Sequence, residues 1–255
     1  MISFNPSDIF LITGASSGIG RAAALIMNEL GASIIAVGRN AAKLQSLKNE
    51  AHNPDNIFIE MREMTEDIAG LTDWVKSLVK KYGKLKGIIL CAGASITEPL
   101  KILDYENTKK MMDLNYYAPL MITKAFADKR VNTGFENTIV YVSSFAVHKG
   151  NKGQLAYTGS KGAFTASMRT IANELLDKDI RINSVSPSHT DTDMITNTIN
   201  NCEILHEINN KYVAKAEDIA NIIVFLSSNK SLWINGQDIV ANRSAYYYTQ
   251  EHLNK

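Results

Sequence analysis

Tyr157 and Lys161 bracket the run Tyr157-Thr-Gly-Ser-Lys161. On a helix, positions i and i+4 share a face, so the phenol and the ammonium would point the same way. That pairing suits ketone reduction. A free phenol, with a pKa of about 10, donates a proton reluctantly near neutrality. A cation beside it favours phenolate and lowers that pKa toward the working pH. Upstream, Ser144 follows the apolar run Thr138–Ser143. At the C-terminal end of a strand its hydroxyl could hold a substrate carbonyl, with neighbouring Ser143 as its rival. Taken alone, a tyrosine and a lysine at this spacing describe a solvated helix face equally well.

A second cluster lies near the start of the chain. Thr13-Gly-Ala-Ser-Ser-Gly-Ile-Gly20 joins an apolar strand to a helix. Gly14, Gly18 and Gly20 would let the backbone turn tightly and approach a pyrophosphate. The helix N-terminus supplies free N–H groups and partial positive charge. Ser16, Ser17 and Ile19 in the same loop are further candidate contacts. In dinucleotide sites of this kind an acid after the second strand binds the ribose 2′-OH of NAD. Here the strand is followed by Gly38, Arg39 and Asn40. No carboxylate repels a 2′-phosphate, and a guanidinium can bind one with charge-assisted hydrogen bonds. This favours NADP over NAD, with Arg39 and Asn40 at the adenosine ribose.

The elements that must position these groups alternate along the chain. Expected strands are Ile9–Thr13, Ser33–Val37, Asn56–Met61, Gly87–Cys91, Thr138–Val142, Arg181–Val185 and Asp238–Ala241. Expected helices are Gly18–Leu30, Ala41–Glu50, Ile68–Tyr82, Asn107–Lys129, Gln154–Lys178 and Ala216–Ser227. Strands apolar on both faces, alternating with amphipathic helices, imply a doubly wound parallel α/β sheet of Rossmann type with helices on both faces. No repeat or linker interrupts the 255 residues, so a single domain over 1–255 is expected, with a polar, tyrosine-rich tail at 244–255.

Charges nearly cancel, at a formal +1, which gives no field for nucleic acid. The two cysteines, Cys91 and Cys202, have no CxxC partner and fit a reducing compartment. Cys91, in an apolar strand, reads as packing rather than reactive. Neither a signal peptide nor a membrane-length apolar run is visible, and no His/Cys/Asp cluster has metal-ligand spacing. A cytoplasmic protein without metal is expected.

Together these motifs resemble the short-chain dehydrogenase/reductase family, in order, from about Ile9 to Ala241. The glycine loop matches its cofactor loop, and Tyr157 and Lys161 its catalytic pair. The spacing to Tyr157 singles out Ser144, and Asn115 matches the fourth catalytic residue, which in the family holds a water linking the lysine to solvent. Pro187-Ser-His-Thr-Asp-Thr192 resembles the PGxxxT segment that holds the nicotinamide, bringing in Pro187, Thr190 and Thr192. The family's NNAG stands here as Leu90-Cys-Ala-Gly93, keeping Ala92 and Gly93 for the adenosine ribose. Its acid after strand three is Glu63, at the adenine. Ser188 replaces a glycine, and Ala241-Asn-Arg243 an Asp-Gly-Gly.

The resemblance implies hydride transfer between NADP(H) and a carbonyl or secondary alcohol, of 3-oxoacyl or keto-sugar type. It also implies a homo-oligomer, tetramer or dimer, whose paired long helices would cover Phe164 and Met168. Other readings are a cofactor-binding regulator without turnover, or a sugar-nucleotide epimerase or dehydratase, which typically has a different glycine spacing and a longer chain. His148, Lys149 and Lys152, with His189 opposite, would form a cationic rim suited to an anionic substrate.

Overall fold

The computed structural model describes residues 1–192 and 213–243. The tail at 244–255, Cys202 and His206 lie outside the described residues. Seven strands form one parallel sheet in the order β3-β2-β1-β4-β5-β6-β7. They are β1 (Ile9–Thr13), β2 (Ser33–Gly38), β3 (Ile57–Met61), β4 (Leu85–Leu90), β5 (Asn137–Val142), β6 (Ile180–Pro187) and β7 (Asp238–Ala241). The order reverses between β1 and β4, which opens a crevice at their C-terminal ends.

Alternate residues of each strand feed two cores. Ile9, Leu11, Ile35 and Val37 face one side, with Tyr141 and Ile182. There they meet α3 (Leu71–Tyr82), α5 (Ala118–Phe126) and α7 (Leu155–Glu174). Phe10, Ile12, Ile34 and Ala36 face the other side. They meet α1 (Gly18–Glu29), α2 (Ala41–Glu50) and α8 (Ala216–Ser227). Burial on both faces explains strands that read as continuous apolar runs.

Most expected elements are present with ends moved by a few residues. Helix α3 begins at Leu71 rather than Ile68, because the Asp67 carboxylate accepts the Gly70 N–H at 2.9 Å and turns the chain first. The helix expected over Asn107–Lys129 starts earlier. Asp104 accepts the Asn107 N–H at 2.9 Å and caps α4 (Tyr105–Met112). A single wide turn of π-helix, Asp113–Tyr117, then separates α4 from α5. Pro119 sits just beyond it. Having no N–H, proline cannot donate to the carbonyl four residues back, that of Asn115. The Tyr141 hydroxyl donates there instead, at 2.8 Å.

The expected burial of Phe164 and Met168 against another subunit is corrected. They are 0% and 1% exposed within this chain, and Phe164 stacks on Tyr141 with ring centres 4.2 Å apart. Both face the sheet.

Candidate active site

Parallel strands deliver their C-terminal residues to one edge, so the strand order is also the order of groups along the crevice. Glu63 follows β3, Arg39 follows β2, and the Gly14–Gly20 loop follows β1. Ala92 and Gly93 follow β4, Ser144 follows β5, and Pro187 ends β6. Five strand spacings separate the two ends, roughly 24 Å. One cavity of about 360 Å³ runs along this edge. Its lining includes Gly14, Ser16, Ser17, Gly18, Ile19, Gly20, Arg39, Glu63, Ala92, Gly93, Ser144, Tyr157, Lys161, Pro187, Thr190 and Thr192. Two sequence candidates are not in that lining: Asn40 and Asn115. Asn40 has a structural task of its own. Its carboxamide oxygen accepts the Lys43 N–H at 3.0 Å and caps α2.

The glycine loop is shaped by its own neighbours. Gly14 has φ +69°, and a Cβ there would lie 2.9 Å from the Ala92 nitrogen. A Cβ on Gly20 would lie 2.5 Å from the Gly14 carbonyl oxygen. The first turn of α1 thus packs flat on the ends of β1 and β4, with its unbonded N–H groups turned to the crevice. The Thr13 hydroxyl accepts the Ala92 N–H at 3.1 Å, tying β4 to β1 where Leu90 and Cys91 replace asparagines. A cradle of N–H groups at mid-crevice, with a guanidinium toward one end and a phenol and an ammonium toward the other, fits a dinucleotide.

Helix α7 places Tyr157 and Lys161 one turn apart, 8% and 3% exposed. The Lys161 ammonium donates to the Val142 carbonyl at 2.7 Å and lies 4.8 Å from the centre of the Tyr141 ring. Burial lowers its pKa to about 8. For Tyr157 the expected lowering is corrected. Burial pushes the phenol up, and only its hydrogen bond with Ser144 pulls the other way. The two serines separate cleanly. Ser143 shares its hydroxyl with Thr165 at 2.7 Å, whereas Ser144 meets Tyr157 and also accepts the Ala146 N–H at 3.2 Å.

Asn115, fully buried in the wide turn, holds the loop after β4. Its carboxamide accepts from Ala94 N at 3.2 Å and donates to Ala94 O and to Ser160 Oγ, both at 3.0 Å. It thereby links α4, the β4 loop and α7 beside Lys161. A regular-helix reading misses the turn, although an asparagine four residues before a proline is a signal for it. Cys91 sits next to Lys161, and burial raises its thiol to about 12, in keeping with a packing role.

Known proteins point the same way as this geometry. The family model described as short chain dehydrogenase matches residues 8–203. The chain belongs to the short-chain dehydrogenase family. The 3-oxoacyl-acyl-carrier-protein reductase FabG of Rickettsia bellii is 31% identical over 236 residues, covering 91% of this chain and 94% of that protein. The D-erythrulose reductase of Gallus gallus is 27% identical over 238 residues, covering 91% and 93%. Among solved structures, a short-chain type dehydrogenase/reductase from Mycobacterium ulcerans superposes with a TM-score of 0.85 at 27% identity, covering 96% of this chain and 92% of that one. This chain is therefore an oxidoreductase of a family that binds a nicotinamide cofactor.

The two ends of this short-chain dehydrogenase's crevice also hold groups that sequence reading misplaced or missed. At the β3 end Arg62 joins the lining, its guanidinium 4.9 Å from the centre of the Trp74 ring. Glu63 is bonded to Arg39 at 3.0 Å and to the Thr65 nitrogen and hydroxyl at 3.3 and 3.1 Å. Burial works against its carboxylate, but these donors outweigh it and hold the pKa below the ordinary value.

At the β5–β6 end, Lys149, Asn151, Gln154 and His189 line the cavity. His148 and Lys152 do not, which corrects the expected rim. His148, on the short helix α6 (Ala146–Lys149), is 2.6 Å from the Asp238 carboxylate. Asp238 also accepts from the Ser184 and Ser186 hydroxyls at 2.6 and 2.9 Å. Burial, seconded by the charge of Lys149, lowers the pKa of His189. Among the described residues, no helix is long and apolar enough to cross a membrane.

Proposed function

We propose that residues 1–255 act as one domain that reduces a carbonyl, or oxidises the corresponding secondary alcohol, with NADP(H) rather than NAD(H). The observation that carries this reading is the meeting of Ser144, Tyr157 and Lys161 in the cavity that also contains the glycine loop. When bound, the nicotinamide supplies or takes up the hydride. Ser144 holds the carbonyl oxygen and stabilises the charge that grows on it. Tyr157, neutral because burial raises its pKa, carries a proton to give to that oxygen. Lys161 places a buried cation close by, to steady the phenolate left behind and to bind the nicotinamide ribose. Asn115 is a positioning residue that fixes the β4 loop against α7, beside the assigned water relay. Pro187, Thr190 and Thr192 border the nicotinamide, Ala92 and Gly93 the adenosine ribose, and Arg39 the 2′-phosphate.

The substrate class is proposed as a small polar carbonyl compound of 3-oxoacyl or keto-sugar type, with an anionic group favoured by Lys149. A screen of NADPH oxidation against 3-oxoacyl thioesters, keto-sugars and simple ketones tests this. Tight cofactor binding with no carbonyl-dependent oxidation would instead identify a regulator. Lys149→Ala should lower kcat/KM for an anionic ketone several-fold more than for its neutral analogue, and the gap should narrow as salt shortens the Debye length to about 8 Å. Equal losses for both ketones would remove the anionic assignment. A homo-oligomer, tetramer or dimer, in the cytoplasm completes the proposal. Exposed Tyr105, Tyr117 and Leu155 on the α4–α7 side are the apolar groups an assembly could cover. Sedimentation at micromolar concentration tests it, and a monomer would refute it.

A further inference from the structure

The strand register fixes a charge pair at the adenosine end of the crevice. Gly38, the last residue of β2, pairs with Met61, the last of β3, and the Arg62 N–H donates to the Gly38 carbonyl at 3.0 Å. Arg39 and Glu63 therefore leave adjacent strand ends side by side, and their side chains meet at 3.0 Å. Thr65 holds the carboxylate from behind through its nitrogen and its hydroxyl. The pair is open to water, with side-chain exposures of 75% for Arg39 and 36% for Glu63, and both residues line the cavity. Arg62 is turned to the Trp74 ring and to the Asp67 carbonyl. The guanidinium available to a 2′-phosphate is thus one that already has an anionic partner.

We propose that Glu63 is a specificity-determining residue which restrains the preference for NADP(H): a 2′-phosphate must compete with its carboxylate for Arg39 and must sit near a fixed negative charge. The two effects act in the same direction. An exposed ion pair is weak and is readily exchanged, so Arg39 can change partner. The remaining carboxylate then repels the phosphate, whereas a neutral 2′-OH feels no such repulsion. The inference rests on the reading of this cavity as a dinucleotide site with Arg39 at its 2′ end.

The test is calorimetric titration of the purified full chain with NADP⁺ and NAD⁺, in wild type, Glu63→Gln and Arg39→Ala. The Glu63→Gln substitution keeps an acceptor for Thr65 and removes the charge. It should raise the ratio of NADP⁺ to NAD⁺ affinity by about 3- to 30-fold, as expected for an exposed ion pair plus one charge-assisted contact. The gain should shrink between 0.01 and 0.15 M salt, as the Debye length falls from about 30 to about 8 Å. Glu63→Ser should move the ratio the same way, which guards against an effect peculiar to the amide. If Arg39→Ala collapses the ratio while both Glu63 variants leave it unchanged, Glu63 has no such role and the reading of Arg39 stands. If none of the variants moves the ratio, Arg39 does not read the 2′ position, and the inference falls with it.

Discussion

At the β5 end of the crevice, Tyr157 and Lys161 are almost wholly buried, and the Lys161 ammonium is fixed by its bond to the Val142 carbonyl. At the β3 end, Arg39 and Glu63 lie open to water, joined to each other, with Thr65 also holding the carboxylate. Burial gives the first pair large consequences, because a charge or a proton there has few alternatives to its present place. Exposure gives the second pair small, exchangeable consequences, screened by salt. On the proposed reading, chemistry falls to the enclosed end and choice of cofactor to the open one.

The largest expected effect at the enclosed end is that of Tyr157→Phe. The ring keeps its packing, the proton donor is lost, and kcat should fall by about 10²–10⁴-fold with cofactor affinity retained. Steady-state rates beside calorimetric Kd values check this, and retention of more than about a tenth of the rate would exclude Tyr157 as the acid. Next comes the cost of enclosing Lys161. Its pKa of about 8 lies below the ordinary 10.5, so between those values the unfolded chain binds more protons than the folded one. Stability from this group therefore rises with pH across that window, and the full cost of the buried charge is felt below pH 8. Urea unfolding of wild type and Lys161→Met from pH 7 to 10.5 should show the wild type gaining up to about 3 kcal/mol on the variant. Parallel profiles would mean that the ammonium is not effectively desolvated. At the open end the effect is smaller. Arg39→Asp should weaken NADPH binding by about 1–3 kcal/mol and improve NADH relative to it. An unchanged preference would break the contrast between the two ends.

The same contrast governs how much the sequence discloses. Tyr157 and Lys161 are recognisable because a helix fixes their spacing, and the glycine loop because close packing on Ala92 leaves no room for a Cβ. The parallel strands follow from apolar runs that have core on both sides. What escaped were contacts between residues far apart in sequence. His148, counted as part of a cationic rim, reaches Asp238 ninety positions away. Phe164 and Met168 look like interface residues on a helix whose sheet-facing side is not marked by composition. Glu63 could be placed near the adenosine, but its bond to Arg39 depends on the register of β2 against β3. The phenol's raised pKa likewise reflects burial, which spacing to a lysine does not report.

The wide turn between α4 and α5 makes chain length itself a constraint. From Asp113 to Tyr117 the backbone uses i→i+5 bonding, with the Ala118 N–H donating to the Asp113 carbonyl. Such a turn holds one residue more than a regular helix would need. Losing the Tyr117 codon would allow the helix to close regularly with α5 still in phase with α4, so the change would fall on the groups inside the turn. Leu120, which has an N–H, would then stand four residues after Asn115 and bond to the carbonyl that Tyr141 now reaches, so the tie between the turn and β5 would be lost. Tyr117, 44% exposed, can accept many replacements in the same place. The gene should therefore tolerate missense change at this codon far better than an in-frame deletion of it.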